Sequence, residues 1–82
     1  MEDELRTKIS ILKTLLEKRG NKSFTFFEKL LFDFDKGLVE EVIKSILPSY
    51  AIVQYAAFNY EEETLFDAIW NIADKLKKDS RL

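Results

Sequence analysis

The sequence predicts an all-α fold: one compact bundle of four main helices, with a short fifth helical segment over residues 49–58. Apolar residues recur at spacings of three and four along most of the chain, which is the period of an amphipathic helix. Residues that end or break helices, Gly20, Gly37 and Pro48, lie between these stretches. At 82 residues the chain has the size of one domain, so we expect residues 1–82 to form a single helical unit.

The first helix is predicted from about Asp3 to Lys18. Acidic residues in its first turn and basic residues in its last turn complement the helix dipole. Gly20 supplies the left-handed residue that commonly ends a helix. The apolar stripe of this helix consists of Leu5, Ile9, Leu12 and Leu16, with Ile11 and Leu15 beside it.

The second helix is the first half of a hairpin, Phe24 to Leu47, around which we expect the rest of the chain to pack. It is predicted to begin near Phe26, because Thr25 and Glu28 have the spacing of a capping box. Phe24 and Phe32 are expected at the edge of the core. The apolar face expected to fill the core consists of Phe27, Leu30, Leu31 and Phe34.

The third helix is predicted from about Lys36 to Leu47. Asp35 can cap its start, and Pro48 is expected to stop it. Its β-branched residues would suit a strand, but their spacing is helical. The centre of the core is expected to contain Phe27, Leu31, Val42 and Ile46.

Residues 49–58, SYAIVQYAAF, are nearly continuous apolar sequence. Such a run fits either a buried helix or a short strand. A single strand has no partner within a helical molecule, so we expect a short buried helix. Only strand pairing between two molecules would reverse that prediction.

The last helix is predicted from about Tyr60 to Lys78, with Asn59 and Glu62 as its capping box. A second apolar line lies about 100° around the helix from the main seam. Either this helix is packed between the first helix and the hairpin, or Trp70 is partly exposed for a partner. The main seam is Leu65, Ile69, Ile72 and Leu76, and the second line is Phe66, Trp70 and Ala73.

Charge is unevenly distributed although the net charge is only -2. Residues 23–74 contain ten acidic residues and three lysines, whereas the two ends of the chain carry a basic excess. An acidic body disfavours binding to a phosphate backbone and favours a basic protein partner. The charged start of the sequence and the lack of a long apolar run predict a soluble protein without a targeting segment or membrane partner.

The composition excludes most small enzymes and cofactor proteins. The chain has no histidine and no cysteine, so the common catalytic triads, zinc sites and disulfides are all excluded. Cysteine-free composition suits the cytoplasm. Two glycines are too few for a phosphate-binding loop. The series Asp33, Asp35, Gly37 lacks the spacing and the final glutamate of a calcium loop, so we expect no enzyme, metal or cofactor.

Candidate partner-binding residues lie in the two acidic regions. Exposed carboxylates on helices usually serve only solubility, but these are accompanied by tyrosine and tryptophan, which often anchor interfaces. The candidates around the hairpin are Asp33, Asp35, Glu40 and Glu41, and those on the last helix are Tyr60, Glu61, Glu62, Glu63, Asp67 and Trp70.

The stretch from Phe32 to Leu47 and the acidic run from Asn59 to Glu63 resemble the small MafI-type immunity proteins of bacterial polymorphic toxin systems. Gly37, Leu38 and Val39 occupy a Gly-Leu-Ala-like step of that family, and the resemblance covers about half the chain. The longer apolar segment 49–58 departs from the family pattern. The resemblance implies a cytoplasmic, non-enzymatic protein that binds and neutralises a cognate toxin domain, commonly a nuclease, through an acidic helical surface.

Two other functions stay open. A small DNA-binding regulator of a mobile element or phage would use the basic ends of the chain, but Glu40 and Glu41 on its recognition helix would be repelled by phosphate. A homo-oligomeric helical adaptor, for example a homodimer, would bury Trp70 and residues 49–58 against a second copy.

Overall fold

The computed structural model describes residues 1–51 and 56–80. No strand occurs in these residues, and the predicted all-α bundle with four main helices is confirmed. In chain order the elements are α1 (Glu2–Lys18), α2 (Phe24–Asp35), α3 (Val39–Ile46), a 3-10 helix (Leu47–Ala51) and α4 (Tyr60–Ser80).

Glycines end the first two helices, as predicted. Gly20 has φ +74° and Gly37 has φ +82°, both in the left-handed region that other residues rarely adopt. After α1 the Gly20 and Asn21 amides donate to the carbonyls of Glu17 and Leu16, which is the Schellman pattern. The chain after α2 forms the same pattern around Gly37. Both turns therefore satisfy backbone groups while the chain reverses direction.

The predicted capping box at Thr25 is wrong. α2 already begins at Phe24, and the Thr25 hydroxyl donates to the Lys22 carbonyl instead of accepting from the helix. The physical reason is the turn before the helix: the Asn21 side chain accepts from the Ser23 amide at 2.9 Å. That turn brings the chain into helical geometry two residues early.

α3 is shorter at both ends than predicted. The Gly37 and Leu38 amides belong to the turn that ends α2, so the helix starts only at Val39. Asp35 is the last residue of α2 and does not cap α3. The α-helix ends at Ile46, just before Pro48 as predicted, and Pro48 lies within the 3-10 helix that follows.

α1 and the aromatic rings form the middle of the core. All four predicted stripe residues of α1 are fully buried. The Phe66 ring lies 6.1 Å from the rings of Phe27 and Phe58, and 5.5 Å from that of Tyr50, measured between centroids. The buried apolar cluster consists of Leu5, Ile9, Leu12, Leu16, Phe27, Leu30, Val42, Ile43, Ile46, Phe66, Ile69 and Ala73.

The aromatic excess of α2 is divided between core and surface. Phe27 and Leu30 are buried as predicted, whereas Leu31 and Phe34 are only partly buried. Leu31 is therefore not at the centre of the core. Phe32 is exposed, as expected for an edge residue. The ammonium of Lys36 lies 4.2 Å from the centroid of the Phe32 ring.

The deepest face of α4 lies between its two predicted apolar lines, so the predicted main seam is displaced. α1 packs on one side of α4, and α3 and the 3-10 helix pack on the other. This confirms the packing of α4 between the first helix and part of the hairpin. Phe66, Ile69 and Ala73 are fully buried, whereas Leu65, Trp70, Ile72 and Leu76 are partly buried.

The predicted helical segment 49–58 is only partly described. Its first three residues belong to the 3-10 helix, and residues 52–55 lie outside the described part of the chain. Ala57 has φ +54°, so the chain forms a turn just before α4.

Two ion pairs lie near the two ends of α1, in a molecule that measures 36 Å along its longest axis. Arg6 near the start of α1 pairs with Asp35 at the end of α2. Arg19 after α1 pairs with Glu62 in the first turn of α4. We refer to these as the Arg6 end and the Arg19 end.

Candidate protein-binding surface

The acidic run at the start of α4 is divided among three environments. Successive helix residues are about 100° apart, so Glu61, Glu62 and Glu63 cannot share one face. Glu61 lines a groove against α1, whereas Glu63 is exposed on the other flank of α4. Glu62 points into the protein, with 1% of its side chain exposed. The run therefore does not form a single acidic patch.

Glu62 is the buried member of an ion pair. Its two carboxylate oxygens accept hydrogen bonds from the Arg19 guanidinium, both at 2.6 Å. Its Oε1 also accepts from the Asn59 amide while the Asn59 side chain accepts from the Glu62 amide, each at 2.9 Å, which confirms the predicted capping box. The hydrogen bonds from Arg19 lower the pKa of Glu62. Glu62 therefore stabilises the fold and is not an exposed partner-binding residue.

Arg19 and Asn21 also hold the turn before α4. The Arg19 guanidinium donates to the Ala57 carbonyl at 2.8 Å, and the Asn21 side-chain amide donates to the Ala56 carbonyl at 2.6 Å. These bonds fix a turn whose Ala57 has a positive φ, a conformation that is unfavourable for a residue with a Cβ. The Arg19 end is thus built from the capping box, the ion pair and this turn together.

Tyr50 joins Asp67 and Trp70 in a cluster on the flank of α4 that carries Glu63. The Tyr50 hydroxyl donates to the Asp67 carboxylate, and its ring packs edge-on against the Trp70 ring with centroids 5.5 Å apart. The Trp70 indole donates to the Leu47 carbonyl at 3.0 Å. The hydrogen bond to Asp67 raises the pKa of Tyr50. Asp67 and Trp70 are partly buried, so contacts within the chain already use much of this cluster.

An open apolar groove of about 480 Å³ runs between α1 and α4; we call it the α1–α4 groove. Tyr60 stands at its edge with 86% of its surface exposed, and Ile11 is 46% exposed. Exposed apolar side chains that lie together with a polar rim are one of the marks of a protein-binding surface. The groove is lined by Ile11, Leu15, Tyr60, Glu61, Thr64 and Leu65.

Two of the hairpin carboxylates already have partners. Asp33 is largely covered and binds Lys29 one turn earlier on α2 at 3.1 Å. Asp35 accepts two hydrogen bonds from Arg6, at 2.9 and 3.1 Å, and its side chain remains 59% exposed. The hydrogen bond from Arg6 lowers the pKa of Asp35. The Asp33 pair therefore lies within α2, whereas Asp35 links α2 to α1 and can still be reached by solvent.

Glu40 and Glu41 are exposed in the first turn of α3, as predicted. Glu41 lies 4.0 Å from Lys44, the limit of an ion pair, and both side chains are well exposed. Glu40 lines a second groove, which is described below. The hairpin candidates therefore divide into paired residues on α2 and more accessible ones on α3.

The sequence analysis missed Ile11 and Leu15 as surface-forming residues. Both lie beside the main stripe of α1 and one helical turn apart. The sequence did contain a signal for them: an amphipathic helix needs only one apolar stripe to face the core, and Ile11 and Leu15 form a second apolar pair beside it. Tyr50 was also missed, because its partner Asp67 lies far along the chain and only the folded structure brings the two together.

The described residues contain no group of three or more acidic residues placed to hold a metal ion. Within the same ranges, every buried side-chain nitrogen or oxygen has a hydrogen-bond partner. None of the described helices has the length and apolar character required to cross a membrane.

Comparison of the chain with protein-family models, curated proteins and solved structures gives no match. The physical features of the surface and the resemblance described above are therefore the basis for assigning a function.

Proposed function

We propose that this protein is a cytoplasmic immunity protein that binds and neutralises a basic toxin domain, and that the α1–α4 groove forms the centre of the interface. The observation that carries the proposal is the exposure of Tyr60 beside the apolar side chains of Ile11, Leu15 and Leu65. The resemblance to MafI-type immunity proteins supports the choice of partner.

The groove has the composition of an interface centre. Protein interfaces concentrate their binding energy in a few large side chains, with tyrosine among the most frequent, surrounded by a polar rim. Tyr60 supplies the large side chain, while Glu61 and Thr64 form part of the rim. A partner that covers Tyr60 and Ile11 would remove both from water and gain the free energy of apolar burial.

Charge favours a basic partner. The body of the chain is acidic, Glu61 lines the groove, and Glu63 is exposed on the other flank of α4. Opposite charges speed the encounter of two proteins and select against acidic competitors. A nuclease toxin, whose substrate groove is basic, has the complementary charge.

The proposal is tested by expressing the protein with the toxin domain encoded beside its gene. We expect the wild-type chain to restore growth and to co-purify with that domain. Tyr60→Ala should weaken binding by at least about tenfold, because truncating a hot-spot residue, a class in which tyrosine is enriched, costs about 2 kcal/mol or more. Glu61→Arg should also weaken it. Glu28→Arg is the matched control, since Glu28 is exposed on α2 and does not line the groove.

A chain that neither protects nor binds would contradict the proposal, as would variants at Tyr60 and Glu61 that protect as well as wild type. Sedimentation of the free protein provides a further test. If it shows a dimer that Tyr60→Ala dissociates, the groove is a self-interface and the homo-oligomeric alternative is correct.

A further inference from the structure

A second groove lies at the Arg6 end, between the start of α1, the first half of α3 and the last turns of α4; we call it the α3 groove. Its volume is about 360 Å³, near the lower limit of the range found for ligand pockets. Its floor consists of Val39, Ile43 and Leu76, and its rim consists of Glu2, Glu40 and Asp79.

The rim is acidic on every contributing element. Each of the three elements supplies one carboxylate, all three are exposed, and none of the lining residues is basic. Glu2 and Glu40 lie in first turns, where a negative charge stabilises the helix dipole. Asp79 lies in the last turn of α4, where a negative charge opposes the dipole. Helix stability therefore does not account for the whole rim.

We propose that the α3 groove receives an arginine side chain of the protein partner. An arginine has an aliphatic stem that packs on apolar surface and a charged head that extends to the polar edge. Val39, Ile43 and Leu76 match the stem, and the carboxylate rim matches the head. Its guanidinium is weakly hydrated and binds carboxylates through several hydrogen bonds at once, which favours it over lysine on an apolar floor.

This inference rests on the proposed function, because it assigns to the basic toxin domain a second point of contact. Both grooves border α1 and α4. Leu65 in the first groove and Leu76 in the second are eleven residues apart on α4, which corresponds to about 17 Å along the helix. A standard interface of about 800 Å² per partner is wide enough to span that distance.

The binding of arginine to the α3 groove can be tested without the toxin domain. The probe is N-acetyl-arginine methylamide, titrated into the isotopically labelled full chain at low salt and followed by NMR. Its uncharged isostere, N-acetyl-citrulline methylamide, is the control ligand. We expect the arginine derivative to shift the amide signals around Val39, Ile43 and Leu76, with a Kd on the order of 1 mM, and the citrulline derivative to cause no localised shift.

Glu40→Gln and Asp79→Asn should each lower the affinity for the arginine probe by about threefold or more, since each removes one charge from the rim. Glu28→Gln removes an exposed carboxylate elsewhere and should leave the affinity unchanged. Both rim residues are exposed, and having two variants keeps the test valid if one does not fold. The inference is overturned if the shifts occur elsewhere, if citrulline binds equally, or if both rim variants bind like wild type. Because no toxin is present, that failure would leave the result of the protection assay unaffected.

Discussion

The two ends of α1 carry the same kind of ion pair in different surroundings. At each end an arginine of α1, or just after it, binds both oxygens of a carboxylate on another helix. Glu62 at the Arg19 end is 1% exposed, whereas Asp35 at the Arg6 end is 59% exposed. The two pairs have similar chemistry, and burial is the main difference between them.

Burial determines what each pair can contribute. Glu62 also accepts from the Asn59 amide, so losing its charge disturbs a helix cap and a turn as well as an ion pair. Water can replace the partner of Asp35, and exposed pairs contribute little to stability. The Arg19 end therefore stabilises the fold, while the Arg6 end leaves its carboxylates exposed to solvent.

The largest expected effect is that of Glu62→Gln. The substitution keeps the shape of the side chain but places an amide N–H group against the Arg19 guanidinium, where both groups are donors. We expect a loss of roughly 2 kcal/mol in the free energy of unfolding, the typical cost of a mispaired buried polar group. That corresponds to a decrease of about 8–16 °C in Tm for a domain of this size, measured by circular dichroism.

Glu63→Gln is the matched control for Glu62→Gln. It removes the same charge from the same turn of α4, but its side chain is exposed. We expect a change within about 0.5 kcal/mol. Equal losses in the two variants would show that charge in the first turn, and not burial, accounts for the effect.

The dependence of stability on pH is the second test. Hydrogen bonds from Arg19 and Arg6 lower the pKa values of Glu62 and Asp35 in the folded protein. A lowered pKa contributes stability that is present above the ordinary pKa and is lost as the pH falls through the folded-state value. The free energy of unfolding in urea should therefore decline below about pH 4. In Glu62→Gln this decline should be smaller than in wild type, whereas Asp35→Asn should retain most of it.

A smaller effect is expected at the start of α4. Asn59→Ala removes the side-chain acceptor of the capping box and should cost about 1 kcal/mol. Thr25→Ala at α2 is the comparison, because its hydroxyl donates to a carbonyl before the helix and does not cap it. Thermal unfolding of both variants measures the difference, and an equal loss at Thr25 would mean that its hydroxyl contributes as much as a cap.

The smallest expected effect is that of Asp35→Asn. Both side chains of the Arg6–Asp35 pair are exposed, so loss of the pair should change the free energy of unfolding only marginally in physiological salt. Urea unfolding at low and high salt checks this expectation. A loss as large as that of Glu62→Gln would contradict the distinction between the two ends.

The sequence predicted the elements with local signals most accurately. The stripe of α1, the turn glycines at Gly20 and Gly37, and the Asn59–Glu62 cap all depend on residues close together in the chain, and all are confirmed. The start of α2 was misplaced because two local patterns competed there. The turn in which the Asn21 side chain accepts from the Ser23 amide starts the helix at Phe24, whereas the capping box would have started it near Phe26.

Features that depend on distant residues could not be predicted. The capping-box spacing distinguishes Glu62 within the run of three glutamates, but its burial requires Arg19, which lies 43 positions earlier in the chain. The two grooves form only where helices meet. Periodicity locates the faces of each helix, but it does not show which faces remain uncovered.

The central claim is that the buried carboxylate of Glu62 stabilises the fold, whereas the carboxylates on the rim of the α3 groove bind an arginine. Measuring stability and affinity on the same two variants tests this claim most directly. Tm and the affinity for N-acetyl-arginine methylamide are measured on Glu62→Gln and Glu40→Gln. We predict that Glu62→Gln loses stability and, at a temperature where it is folded, binds the probe like wild type, whereas Glu40→Gln loses at most a few degrees of Tm, the effect of a first-turn charge on the helix dipole, and binds at least about threefold more weakly. The claim would be contradicted if Glu40→Gln lost stability instead of affinity, or if Glu62→Gln lost affinity at unchanged Tm.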